Sequence, residues 1–539
     1  MGTENEGLNL VRYPWIPCLI DGSTEELSIL DVFRRANEIQ EVVGELPTQT
    51  FAIVRLLEAI LYRALDEDYE SVQDWERMWP DGLPVEDIER YLAQWEHHFE
   101  LFDPVQPFFQ VAGLATAKGE SKGVEQLIMD LPANNRHFTT RGGLATERLN
   151  PAEAARWLIT LQAYDLSGIK SGALDDPRTK GGKGYPIGTG YSGHLGGILL
   201  EGSTLAETLL LNLVAPDMTG GFNAEDLPAW ERPQLDKPES YADRVPTGPN
   251  DLYTWQSRRV RLWREGEWIT GSLVANGLVL TPQNLHRIEP MTAWRRSKPQ
   301  EAKLKRELVY MPKEHDPTRA FWRGLAALTP RLQPVRAGKD ADPNQPPITI
   351  DWLRRLQDER VLPASTRIGL RAIGVQYGSQ SSVVTEIVDD RLNVAVEVLR
   401  EQSRPLAAAA EDAVARVEES VFAFGILAKH LDIAAGGEGD GAEQRARELA
   451  FHGLDSQYRA WLSKLGPESD VSAVYAAWKR LVREFLTAEA DSLVQQSGPQ
   501  AWQPREYRGA PMNATIAQAK FASMLNKSLG RLEDLEEAS

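Results

Sequence analysis

Apolar residues recur at three- and four-residue intervals near both ends of the chain, and between them they alternate or come in short runs broken by glycine. Near the N-terminus, Phe51, Val54, Leu57, Leu61 and Leu65 follow a helix start at Pro47-Thr48 and fall on one helical face. A second helix is predicted from about 85 to 101, after the acidic stretch at 66–76. Beyond residue 403 the pattern is helical throughout. Four segments stand out: about 406–432 with Val414, Val417, Val421 and Phe424; 441–465 with Ala446, Leu449, Tyr458 and Trp461; 471–495 with Val471, Val474, Trp478, Leu481 and Phe485; and 513–534 with Ile516, Leu525, Leu529 and Leu532. GGEGDG, GPESD and SGPQAWQP separate them, and four amphipathic helices with short connections predict a four-helix bundle.

The middle of the chain reads differently. From about 104 to 233, short apolar pieces alternate with glycine-rich segments, the densest being GGKGYPIGTGYSGHLGG at 181–197. WITGSLVANGLVL alternates as a paired strand does, and VQYGSQSSVVTEIV reads as a turn followed by a strand. The expected fold class is therefore α+β: a large mixed α/β N-terminal domain over 1–402, then an all-α four-helix bundle over 403–539.

With 42% apolar and 25% charged residues in 539, the chain is globular rather than disordered, collagenous or coiled-coil. Acids outnumber bases 78 to 59, a net charge of −19. Both parts share the excess, with 58 acids against 44 bases through residue 402 and 20 against 15 from 403. Such a balance excludes indiscriminate coating of nucleic acid or anionic membrane. It does not exclude a local contact, because the window Trp255–Val309 holds eleven Lys and Arg against five acids. There Arg258, Arg259, Arg261 and Arg264, then Arg295, Arg296 and Lys298, are interleaved with Trp255, Trp263 and Trp294, a mixture suited to phosphate contact and stacking and equally to a salt-bridged surface.

A single cysteine, Cys18, rules out an internal disulfide and every Cys-rich zinc pattern. No signal-peptide pattern opens the chain, and Arg55 and Glu58 interrupt its most apolar stretch, so a soluble cytoplasmic protein without a membrane partner is expected. HExxH and Walker sequences are missing, and Asp175-Asp176 and Asp389-Asp390 read as solvated turn carboxylates, so neither metal nor cofactor is expected.

Gly188, Gly190 and Gly193 satisfy G-x-G-x-x-G, but KGGKGYPI before them is not a buried strand and HLGGILLEG after them is glycine-broken. Three readings stand for 181–197: a nucleotide-dependent enzyme, a loop needing positive φ angles, or bare backbone that lets a nucleic-acid phosphate or groove approach. Ser192 and His194 do not form a nucleophile elbow, since GYSGH lacks the final glycine.

Several stretches together resemble one family. LNLVRYPWIPCLIDG and LSILDVFRRANEIQEVVGELPTQTFAIVRLLEAIL, then DPVQPFFQVAG, SGHLGG, LLLNLV, EPMTAWRR, EHDPTRAFWRGL and YGSQSS, are similar in order to the CasA family, the large subunits of the type I-E CRISPR surveillance complex Cascade. The resemblance implies a non-enzymatic role in antiviral defence: recognition of the protospacer-adjacent motif (PAM) in double-stranded DNA, opening of the duplex for R-loop formation, and recruitment of a helicase-nuclease. It implies other Cascade subunits and CRISPR guide RNA as partners. It places a wedge at Gln380 with Ser379 and Ser381 beside it in the minor groove, and a DNA-facing glycine loop over Gly184, Gly188, Gly190 and Gly193. Arg295, Arg296 and Lys298 are the neighbouring basic candidates. Asn134, Asn135, Arg136, His137 and Phe138 resemble a loop that docks on guide RNA and the complex, with Phe138 as its aromatic residue. Relatives with paired cysteines in these loops have no counterpart here.

Overall fold

A computed structural model describes residues 8–131, 141–174, 176–221, 223–328, 344–399 and 404–531. The chain forms two compact units, one of Met1–Arg319, Leu332–Leu362 and Ile368–Arg391, the other of Ala320–Arg331, Pro363–Arg367 and Leu392–Ser539. The expected domain boundary at 402/403 lies outside the described residues.

In the first unit the Pro47–Leu65 helix occupies the core. Its periodicity predicts one buried face, yet most of its residues are buried, Arg55 and Glu58 among them. Helices Val85–Trp95, Pro151–Tyr164, Leu205–Asn212 and Pro249–Tyr253 pack around it, so no side is left for water. Arg55 tolerates this because Glu289, itself fully buried, accepts two parallel hydrogen bonds of 2.9 Å from Nη1 and Nη2, while the Tyr253 ring lies 4.2 Å from the guanidinium carbon. Burial pushes the Glu58 carboxyl well above the usual carboxylate range, because desolvation favours its neutral form.

A three-stranded antiparallel sheet orders this core. Gly196–Glu201 pairs with Arg367–Tyr377, with Gly374 opposite Gly196 and Gly369 opposite Glu201, and Val384–Ala395 completes the sheet. The predicted alternation at 268–280 is the second arm of a hairpin, Arg258–Glu265 with Trp268–Asn276. The predicted turn after Val375 joins Arg367–Tyr377 to Val384–Ala395.

The second unit contains the four expected helices, Arg404–Ala435, Asp440–Leu462, Val471–Gln496 and Ala514–Leu529, with the first in contact with each of the others. Two details differ from the periodic reading. The third helix buries Trp478, Val482, Leu486, Ala490 and Val494, one position round from the expected line through Leu481 and Phe485. Phe485 lies instead over Gly453 of the second helix, where a Cβ would collide with its ring. Leu449, expected inside, is 66% exposed, because Ala446, Ala450 and Leu454 take the inward stripe. Leu532 lies outside the described residues. Trp322 joins this unit by stacking on Tyr458 at 4.4 Å and donating to Asp455 at 2.7 Å, a long-range attachment that no change of composition marks.

Glu289→Gln keeps the shape of the core but strands the Arg55 charge. Urea unfolding of the variant is expected to show a loss of about 3–5 kcal/mol; an unchanged midpoint contradicts the pairing.

Candidate nucleic-acid interface

Three two-residue strands begin the glycine segment: Lys170–Ser171, Thr179–Lys180 and Lys183–Gly184. Gly181 and Gly182 both have positive φ, 58° and 72°, the backbone a two-residue hairpin turn requires between Lys180 and Lys183. Lys170 pairs with Gly184, so one step further along the same register Ile169 stands opposite Tyr185. Both are more than half exposed, at 57% and 53%, and Lys180 and Lys183 beside them are exposed as well. This edge of aromatic, aliphatic and basic side chains is the part of the loop that residue-type reasoning missed; YP after KGGKG was its only signal.

The four candidate glycines serve different ends. Gly184 is buried, and a Cβ there would lie 3.1 Å from Asn276 Nδ2. A Cβ on Gly190 would lie 2.5 Å from the backbone nitrogen of Tyr164, and one on Gly193 would lie 2.9 Å from Tyr377 Cε2. Gly188 alone is partly exposed, with φ 106° and open space where a Cβ would be. The second half of the motif lies in a single 3-10 turn, Tyr191–His194, and the antiparallel strand Gly196–Glu201 comes next. A dinucleotide loop needs a parallel strand before it and a helix N-terminus after it, and this backbone supplies neither. Burial pushes the His194 imidazole down to about 4, which leaves it neutral and unable to compensate a phosphate.

The turn over Gly378–Val383 stands against this loop. The Gly378 and Val383 backbones close it, N–H to O at 2.9 Å, and the Ser381 N–H donates to Gly378 O at 2.9 Å. Gln380 sits at φ 56°, ψ 21° and Ser381 at φ 53°, a left-handed pair that costs roughly 1–2 kcal/mol per residue for L side chains. Ser379 and Gln380 are exposed and Ser381 partly so. The turn bonds to Ser167, whose backbone N–H donates to Ser381 O at 2.9 Å, while Tyr377, the residue before the turn, packs over Gly193 of the glycine segment and donates its Oη to Tyr164 O at 2.8 Å.

The basic strip divides. Arg258 and Arg259 are buried, not available to phosphate: Arg258 binds Asp165, and Arg259 binds Asp176. Trp255 and Trp294 are buried too and cannot stack on a base. Asp176 is accordingly no solvated turn carboxylate, and Asp389 accepts from Arg371 Nε at 2.7 Å. Asp175 lies outside the described residues. Arg296 is tied to Glu301 at 2.6 Å, whereas Arg295 and Lys298 are exposed, as are Lys303, Lys305 and Arg306. The strand that carries Arg295, Trp294–Arg296, follows Met291 and Thr292, which bond to Ile198 N and Gly196 O, and Lys298 opens the helix after it, Lys298–Leu304. Asn134, Asn135, Arg136 and Phe138 lie outside the described residues. Among the described residues no cluster of His, Cys, Asp or Glu fit to hold a metal occurs, and no helix is long and apolar enough to cross a membrane.

Asp165 lies beneath both loops. Burial favours its neutral form, but Lys170 and Arg258 outweigh burial and hold the carboxyl below its usual range. Lys170 Nζ is 2.6 Å from Asp165 Oδ2. Arg258 also donates from Nη2 to Leu166 O at 3.1 Å and Gly188 O at 2.7 Å, and from Nη1 to Ser257 O at 2.9 Å.

Residues 9–488 match the family described as CRISPR-associated protein Cse1. The crystal structure of Thermobifida fusca Cse1 superposes with a TM-score of 0.88 at 42% identity, covering 97% of this chain and 98% of that one. The CRISPR-associated protein CasA/Cse1 of Thermus thermophilus is 28% identical over 530 residues, 90% of this chain and 95% of the relative. A chain of a CRISPR RNA-guided surveillance complex shares the fold at a TM-score of 0.60 and 19% identity, over 99% of this chain and 98% of that one. The chain thus belongs to the Cse1 family, the CasA proteins of type I-E Cascade.

Proposed function

We propose that this protein reads the PAM in target double-stranded DNA on behalf of an RNA-guided Cascade complex and helps open the duplex there. The observation that carries the reading is an exposed left-handed turn, Ser379–Gln380–Ser381, bonded to the Ser167 backbone and preceded by Tyr377, whose ring packs over Gly193 of the glycine segment. A planar amide on a rigid turn suits insertion at a base step, where it takes over stacking and hydrogen bonding as the duplex kinks. Beside it, the open backbone at Gly188 admits a groove wall, and Tyr185, Lys180 and Lys183 supply stacking and phosphate contact. Arg295 and Lys298 add a second basic contact along the duplex. In this reading the N-terminal domain, 1–402, also docks guide RNA and partner subunits through Asn134, Asn135, Arg136 and Phe138, and the bundle over 403–539 meets neighbouring subunits. Recruitment of the helicase-nuclease follows the same family reading, in a cytoplasmic setting and without catalysis by this chain. The nucleotide-enzyme alternative has no supporting geometry at 188–193.

Gln380→Ala is expected to slow R-loop formation by the assembled complex about tenfold or more, since a wedge offsets part of an unstacking cost of a few kcal/mol. Assembly on guide RNA should be unaffected. Opening at the parental rate, followed by fluorescence of a base analogue beside the PAM, rules out the wedge. Tyr185→Ala is expected to weaken duplex binding by the same complex about tenfold, the loss of one stacking contact. Equal affinity in a gel-shift titration removes Tyr185 from the interface.

A further inference from the structure

Ser381 O, one residue from the exposed Gln380 amide, is held by the backbone of Ser167, and the carbonyl of Gly188 is held by Arg258. The second restraint comes from one buried group of charges, and the first lies in the short loop that the same group closes. Asp165 is 7% exposed, Arg258 1% and Lys170 14%, measured on their side chains. Arg258 extends from the Arg258–Glu265 strand, itself fixed in register by Gln162 of the Pro151–Tyr164 helix, which bonds the Arg258 backbone at both N–H (2.9 Å) and C=O (3.0 Å). From that anchor the guanidinium reaches the Asp165 carboxylate and the carbonyls of Leu166 and Gly188. Lys170 Nζ meets the same Asp165 oxygen, Oδ2, that Arg258 Nε binds, so residues 165–170 form a short loop with its two ends tied together, and Ser167 at its middle presents its N–H to the turn.

We propose that the Asp165–Lys170–Arg258 cluster is the positioning device for both DNA-facing loops, setting Ser167 under the Gln380 turn and Gly188 at its height in the glycine segment. None of the three side chains touches DNA in this account; they act through Ser167 and Gly188. The clamp answers a specific need. A turn with two successive non-glycine residues at positive φ relaxes readily unless its surroundings over-determine it, and a wedge that relaxes loses its aim. An ion pair removed from water, with its remaining donors on backbone carbonyls, is a stiff tether because every alternative leaves a charge without a partner.

The proposal rests on Gln380 being the wedge, and two readouts separate them. The first is amide hydrogen exchange of the full chain in the assembled complex. Lys170→Met, which removes one cation at the more exposed end of the cluster, is expected to speed exchange at Ser167, Ser381 and Ser382 at least tenfold while 368–375 exchange at the parental rate; Lys170→Arg is expected to restore slow exchange. Asp165→Asn should show the larger effect, and Lys170→Met serves where that variant does not fold. Unchanged exchange at Ser167 and Ser381 overturns the positioning role, whatever DNA opening shows. The second readout is a double-variant cycle on opening rate. Lys170→Met alone is expected to slow opening about fivefold, and Lys170→Met with Gln380→Ala to be no slower than Gln380→Ala alone. Multiplicative losses overturn the claim that the cluster acts through Gln380. A Gln380→Ala complex that opens DNA normally while the exchange result holds refutes the wedge and leaves the clamp as a feature of the turn alone.

Discussion

A guanidinium sealed from water costs several kcal/mol unless its charge and most of its donors are met, and Arg258 sets four of its five N–H donors on the Asp165 carboxylate and the carbonyls of Leu166, Gly188 and its neighbour Ser257. The segments that supply those groups cannot drift apart without stranding a charge. They carry the 165–170 loop and the glycine segment, and through Ser167 the 378–383 turn, so the exposed features of the candidate interface inherit their placement from a buried ion pair. Arg55 and Glu289 solve the same problem deeper in the unit, where the Pro47–Leu65 helix crosses the core. In both places arginine rather than lysine fills the position, as expected where a fixed planar fork has to bond several acceptors at once.

The elements are legible where packing follows local periodicity. The four C-terminal helices, the Pro47 helix start and the hairpin through Trp268–Asn276 all follow from spacing and turn residues. Errors arise where packing is set from a distance. Nothing in FAIVRLLEAIL says that Arg55 and Glu58 face inward, because Glu289 lies 234 positions away and supplies the reason for one of them. Spacing puts Leu481 and Phe485 on the buried line of their helix, yet a glycine on the facing helix, Gly453, draws Phe485 to the rim and turns the stripe by one position.

The candidate site divides in the same way. The Gln380 turn and the glycine segment are visible as motifs through a family resemblance, and the local backbone explains why those residue types stand there: Gly181 and Gly182 for a tight turn, Gly190 and Gly193 for close packing. The basic strip is misread in part because charge along a strand does not reveal which side chains face inward. Arg258 and Arg259 belong to the interior, and their acids, Asp165 and Asp176, lie more than eighty residues earlier. Excess positive charge at the surface shifts to Arg295, Lys298, Lys303, Lys305 and Arg306, against a body that is acidic overall. Such a distribution favours a duplex held by an assembled complex over one held by this chain alone.

The central claim is that the Gln380 turn enters duplex DNA at the PAM. It is tested most directly by placing a photo-crosslinking residue at position 380 and irradiating the assembled complex on target duplex. The account predicts crosslinks confined to bases at and immediately next to the PAM, lost when the PAM is mutated. Crosslinks to guide RNA, or to DNA without regard to the PAM, contradict it.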